Sequence, residues 1–233
     1  MGMLDAWGDH PVVRDTLAEA SAALGQDLGA LIHAGPKEDL ALTSNTQPVM
    51  LVAAVAAYRV WREAGGAAPA FMAGHSLGEY SALVASGVLT LAQAVPLVRL
   101  RAQAMQEAVP VGTGAMAAVL GLPADQVNAI CQEAQDSFGA GSAEVVQAAN
   151  FNDPGQTVIS GSKAGVDKAC EMLKAAGAKR TLPLPVSAPF HCALMKPAAE
   201  RLRVALADVP LQAPTVPVIN NIDVASLSLE PNF

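Results

Sequence analysis

Ala73-Gly74-His75-Ser76-Leu77-Gly78-Glu79-Tyr80 decides how the rest of the chain is read. Residues 74–78 form G-x-S-x-G, the pattern of a serine placed on a sharp turn between a strand and a helix. Glycines two residues either side of Ser76 remove the Cβ atoms that would collide as the backbone folds around the serine. The preceding run Pro69-Ala70-Phe71-Met72-Ala73 is short and apolar and reads as a buried strand, and Glu79 to Ala85 reads as the start of a helix. Ser76 then stands at a helix N-terminus, where free N–H groups and the helix dipole favour developing negative charge. The five-residue pattern arises by chance in a chain with 19 glycines. Its strand-and-helix setting is what singles out Ser76 as a nucleophile.

Working outward, the chain before the turn is helical in pattern. Pro11 to Leu24 places apolar residues near the 3.6 period, and Asn45-Thr46-Gln47-Pro48 offers a start signal for an apolar helix from Val49 to Ala64, closed by Gly65-Gly66. After the turn, Leu91 to Val109 reads as an amphipathic helix carrying Arg99 and Arg101 and ended by Pro110 and Gly112. From Gly114 the rhythm changes. Strand 115–120, helix 123–133, strands 145–149 and 156–160 joined through Asn150-Phe151-Asn152-Asp153-Pro154-Gly155, helix 164–176 and strand 179–184 give β-α-β-β-α-β, the ferredoxin-like split unit. The sequence therefore predicts an α/β fold with a parallel-sheet body over 1–112 and 185–233 and an inserted subdomain over 113–184. In the returning part, 197–208 reads as a helix and 216–220 as extended.

Composition agrees with that class and excludes others. Of 233 residues, 52% are hydrophobic and only 4% aromatic, mostly Ala, Val and Leu, which suits helices packed on a parallel sheet. No apolar run approaches the ~20 residues that span a bilayer, and no secretory signal is visible. Cys131, Cys170 and Cys192 are odd in number and lack C-x-x-C spacing, which fits free thiols in a reducing cytoplasm. The net charge of −7 argues against nucleic-acid binding. It is unevenly spread: Ser160 to Arg203 holds eight basic and three acidic residues, a net +5, against −12 for the remainder. Such a segment suits an acidic partner, although lysines scattered on solvated helix faces would give the same count.

A serine hydroxyl needs a base, and histidine is the usual one. His10 and His33 sit in polar N-terminal surroundings, and His75 adjoins Ser76 and points elsewhere. His191 falls in Pro185-Val186-Ser187-Ala188-Pro189-Phe190-His191-Cys192, a loop-like stretch after a strand, where open α/β sheets carry catalytic groups.

These motifs together resemble the malonyl-CoA:acyl carrier protein transacylases of bacterial fatty acid synthesis. The resemblance runs through Thr46-Gln47-Pro48, the Gly74–Tyr80 turn, Arg101 with Met105-Gln106-Glu107, Gly112 to Met116, Asn150-Phe151-Asn152 with Pro154-Gly155-Gln156, Pro189 to Met195, and Asn220-Asn221 with Asp223-Val224. It implies an α/β-hydrolase-like body with a ferredoxin-like insertion. It also implies Ser76 as nucleophile, His191 as base oriented by a main-chain carbonyl, the Leu77 N–H as an oxyanion donor, and Arg101 as the cation gripping the malonyl carboxylate. Malonyl-CoA and acyl carrier protein are the implied partners, with the Ser160–Arg203 segment facing the acidic carrier, and no cofactor or metal is needed. The family pattern further leads one to expect a Gly-Gln-Gly-Ser-Gln strand-loop before the segment matching Gly2-Met3-Leu4, supplying a second oxyanion donor, and a longer segment beyond Asp223-Val224. On that expectation the chain is short at both ends, and Ser226 to Phe233 matches nothing in the pattern. Three rival readings share the turn: an acyltransferase domain of a polyketide synthase, a serine esterase that makes no use of Arg101, and an inactive remnant.

Overall fold

Apolar residues at helical spacing set the first layer. In the computed structural model, which describes residues 1–227, Pro11–Leu24 forms α1, followed by α2 (Leu28–Ala34), α3 (Lys37–Ala41) and α4 (Thr43–Glu63). Gly25 ends α1 in the left-handed conformation, and the Asp27 side chain starts α2 by accepting from the Ala30 N–H. Helix α4 begins six residues earlier than the Asn45–Pro48 signal suggests, with Pro48 inside it. Gln47, Pro48 and Val49 are buried there, so tertiary packing outweighs the one hydrogen bond that a proline removes. Leu51, Val52, Val55, Ala56 and Val60 of α4 join Leu28, Ile32, Leu91, Val95 and Val98 in the largest core cluster.

The serine turn lies between β1 (Met72–Ala73) and α5 (Gly78–Ala85). The strand is shorter than the apolar run Pro69–Ala73, because only two residues find a partner: β1 pairs in parallel with a strand from the chain's far end. Helix α6 (Leu91–Glu107) follows, with Pro96 inside it.

The chain divides into two compact units, Met1–Gln103 with Leu202 onward, and Ala104–Arg201. The second unit runs further on both sides than the expected 113–184, and so includes residues 185–201 and His191. Its elements are β2 (Gly114–Leu120), α7 (Ala124–Asp136), β3 (Val146–Asp153), β4 (Gln156–Ser162), α8 (Lys163–Ala175) and β5 (Arg180–Pro183). The sheet order is β3-β4-β2-β5 with every pair antiparallel, as a β-α-β-β-α-β unit requires. Alternation along β2 separates its two faces. Ala117 and Val119 face α7 and α8 with Ile159, Val127, Cys131, Val166 and Leu173, while Met116 and Ala118 pack with Val158, Leu184 and Phe190. The returning segment therefore covers the face that the helices leave open.

Helix α9 (Lys196–Ala207) leads back to the first unit, where β6 (Val218–Ile219) and β7 (Ser226–Leu227) complete a sheet of order β1-β6-β7. Only β1 and β6 are parallel; β7 is antiparallel to β6. Ser226 and Leu227, unplaced from sequence, form that strand, and 228–233 lie outside the described residues.

Exposure within one sheet predicts two different mutational costs. Ile159 is fully buried in β4, whereas Phe151 in β3 is 63% exposed. Ile159→Ala should lower the unfolding free energy by about 2–5 kcal/mol. Phe151→Ala should change it by less than about 0.5 kcal/mol. Urea unfolding of the two variants checks both.

Candidate active site

The serine turn is as tight as its glycines suggest on one side only. A Cβ on Gly74 would lie 2.0 Å from the carbonyl carbon and oxygen of Gly78, an approach that only glycine allows. A Cβ on Gly78 would stand in open space, so the second glycine is not required by crowding. Between them Ser76 adopts a left-handed backbone with φ 53°. Positive φ is uncommon outside glycine and gathers at functional positions. Ser76, His191 and Val224 are the non-glycine residues that show it among those described.

The turn is held by a partner remote in sequence. Asn221, just beyond β6, accepts from the Ser76 N–H at 3.0 Å and donates its side-chain amide to the Gly74 carbonyl at 2.6 Å. Glu79 accepts from the Asn221 backbone N–H at 2.8 Å and also contacts its side-chain amide. On the helix side, Gly78, Glu79 and Tyr80 donate to the carbonyls of His75, Ser76 and Leu77. Among the described residues the Leu77 N–H meets no acceptor. His75 is exposed, consistent with a side chain turned away from the reacting group.

Arg101 reaches this serine from α6. Its Nη2 donates to Ser76 Oγ at 3.0 Å, and its Nη1 donates to the buried Gln47 Oε1 at 2.6 Å. The guanidinium also lies over the Tyr80 ring, 5.9 Å from its centroid. Burial pushes the Arg101 pKa below its ordinary value and the Tyr80 hydroxyl above its own, Arg101 opposing the latter. Among the described residues no carboxylate lies within ion-pair distance of Arg101, although Glu79 acts on it through space and opposes the effect of burial. Arg99, two residues earlier, turns instead to Gln26 and Asn45. Gln47, Tyr80, Glu79 and Asn221 are site residues that residue-by-residue reading passed over. Each lies inside a quoted motif, but nothing in its type points to a serine up to 145 positions away.

His191 belongs to the second unit. Pro189 packs against Gly114, where a Cβ would fall 2.4 Å from the proline ring, and Phe190 lies on the Met116, Ala118, Val158 face. The Ala193 N–H donates to Gln147 Oε1. These contacts pin the chain before and after His191, which itself has φ 61° and is exposed. The adjoining Cys192 is buried, and burial pushes its thiol pKa up, which disfavours the reactive thiolate. Among the described residues no group of His, Cys, Asp and Glu is placed to hold a metal ion.

The chain is similar to acyl transferases. The family model described as the acyl transferase domain matches residues 1–232. The malonyl CoA-acyl carrier protein transacylase of Escherichia coli K12 is 58% identical over 225 residues, covering 96% of this chain and 71% of that protein. A crystal structure of an acyl-carrier-protein S-malonyltransferase from Burkholderia pseudomallei 1710b superposes with a TM-score of 0.93 at 60% identity, covering 98% of this chain and 72% of its own. A malonyl-transacylase solved in complex with a type II polyketide-synthase acyl carrier protein superposes at 0.92 with 52% identity, covering 98% and 73%.

The asymmetry of the two turn glycines is testable. Gly74→Ala forces backbone against backbone and should cost about 1–3 kcal/mol, with loss of the serine's geometry. Gly78→Ala, at the first position of α5, should be neutral or stabilising by up to about 1 kcal/mol. Thermal and denaturant unfolding of the pair would show the contrast.

Proposed function

Because the chain belongs to the malonyl CoA-acyl carrier protein transacylase family of acyl transferases, we propose that it moves a malonyl group from coenzyme A to the phosphopantetheine thiol of acyl carrier protein, with Ser76 as the covalent carrier. Ser76 Oγ attacks the thioester carbon as His191 takes the hydroxyl proton, and the Leu77 N–H meets the oxyanion. The carbon–sulfur bond breaks, the proton passes from His191 to the leaving thiolate, and a malonyl-serine ester remains. The carrier's thiol then gives its proton to His191 and attacks that ester, and Ser76 recovers a proton as the product thioester forms. One thioester is exchanged for another, so the chemistry needs no external energy source.

Arg101 carries the choice of acyl group. A half-buried guanidinium held by Gln47 and touching Ser76 Oγ, with Glu79 acting on it only through space and no ion pair among the described residues, is a cation able to take an anion. The free carboxylate of a malonyl group on Ser76 supplies it through paired charge-assisted hydrogen bonds. An acetyl group would leave the buried charge unpaired, which is the basis for selection. The similarity to a malonyl-transacylase that serves a polyketide carrier supports the same chemistry with a different carrier as the second reading.

No helix among the described residues is long and apolar enough to cross a membrane. With the three cysteines free, this supports a cytoplasmic setting. For the carrier we assign the basic stretch Ser160–Arg203. Arg180, the first residue of the edge strand β5, and Lys179 just before it are exposed, while Lys163 is engaged with Asp167 at 2.8 Å.

Incubation with radiolabelled malonyl-CoA should label the protein covalently, Ser76→Ala should abolish the label, and Ser81→Ala should retain it. Arg101→Ala should cut malonyl transfer about 10- to 100-fold and raise the acetyl-to-malonyl ratio. Arg99→Ala should leave that ratio unchanged. Reversing the charge of Lys179 and Arg180 together should raise the KM for carrier protein, with a defect that shrinks as salt is added, while acylation by malonyl-CoA stays intact. Unchanged carrier kinetics in that double variant would make the segment a solvated surface only.

A further inference from the structure

The serine's unusual backbone is secured by one side chain that touches none of the reacting atoms. The Asn221 amide bridges the residues on both sides of His75: its oxygen takes the Ser76 N–H and its nitrogen gives to the Gly74 carbonyl. The partners fix which way the amide faces, since Ser76 presents a donor while Gly74 and Glu79 present acceptors. Glu79, one helical turn past the serine, holds Asn221 through both its backbone N–H and its side-chain nitrogen. Asn220 shapes the approach, accepting from the N–H groups of Ile222 and Asp223 in the turn that presents Asn221.

We propose that Asn221 and Glu79 are positioning residues for acyl transfer, fixing the left-handed conformation of Ser76 and with it the directions of Ser76 Oγ and the Leu77 N–H. The inference rests on Ser76 being the nucleophile. Removing the Asn221 side chain takes away the acceptor of the Ser76 N–H and the donor to Gly74, and the φ of 53° relaxes toward the ordinary negative range. Oγ then swings away from the acyl carbon, and a displacement of about 1 Å is worth about 100-fold in rate.

The test compares single-turnover acylation by labelled malonyl-CoA in wild type, Asn221→Ala, Asn221→Asp, Glu79→Ala, Glu79→Gln and Ser76→Ala. Asn221→Ala and Glu79→Ala should slow acylation by about 100-fold, with KM for malonyl-CoA and the final moles of label per mole of protein near wild type. Asn221→Asp should be slower still, because a second carboxylate faces Glu79 and no donor remains for Gly74. Glu79→Gln should keep most of the rate, since its oxygen still accepts from Asn221. Less label at an unchanged rate would mean a merely structural role and overturn the proposal.

Amide hydrogen exchange judges the bridge without any turnover. The Ser76 N–H should exchange at least 10-fold faster in Asn221→Ala and stay protected in Glu79→Gln; unchanged exchange in Asn221→Ala sinks the idea. Label persisting in Ser76→Ala would instead remove the nucleophile assignment, a different failure from the loss of the bridge.

Discussion

The approach of Gly74 to the Gly78 carbonyl is the constraint on which the rest of the site depends. It turns the chain from β1 into α5 within four residues and holds Ser76 in a conformation that it would not choose alone. Such a turn persists only when its surroundings over-determine it. Those surroundings come from the far end of the chain. Met72 pairs with Val218 and Ala73 with Ile219, so Asn221 follows its strand by two residues just as Ser76 follows its own by three. A slip of one residue in that parallel pairing would turn every side chain of β6 to the other face and carry Asn221 away from the serine. The two-residue strand β1 is thus a register device more than a source of stability.

Charge at the site is arranged by helix geometry rather than by proximity in sequence. Arg99 and Arg101 sit two positions apart on α6 and reach different surroundings, the one toward Gln26 and Asn45 and the other toward Gln47 and Ser76. Residues two apart on a helix do not share a face. Gln47 is buried because α4 begins early and carries Pro48 within it, so the departure from the expected helix start is what delivers the group that steadies Arg101. A neutral amide steadies the guanidinium without cancelling its charge. An internal carboxylate there would compete with any acidic substrate.

In the second unit, strand alternation does for His191 what the elbow does for Ser76. Small helix-facing residues on β2 pack under α7 and α8, and Met116 and Ala118 turn the other way to receive Phe190. The segment is stapled at Pro189 against Gly114 and at Ala193 by Gln147. His191 between them takes a positive φ and stays exposed. A loop residue presented by a rigid scaffold in this way suits proton transfer.

Local pattern by itself determined the helices α1, α5, α6 and α9, the β-α-β-β-α-β order of the inserted unit, and Ser76 as the distinctive serine. Each rests on information carried within a dozen residues: apolar period, turn-forming residues, and glycines around a tight bend. The loop position after a strand pointed to His191, and the family resemblance supported that reading and added the expected roles of Leu77 and Arg101, which no local period could supply. Tertiary structure alone decided that α4 swallows Pro48, that β1 shrinks to two residues, and that Gly74 but not Gly78 is sterically required. It alone brought Gln47 to Arg101 and Asn221 to Ser76. Those pairings join residues 54 and 145 positions apart, and hydrogen bonds between distant side chains leave no periodic trace in a single sequence.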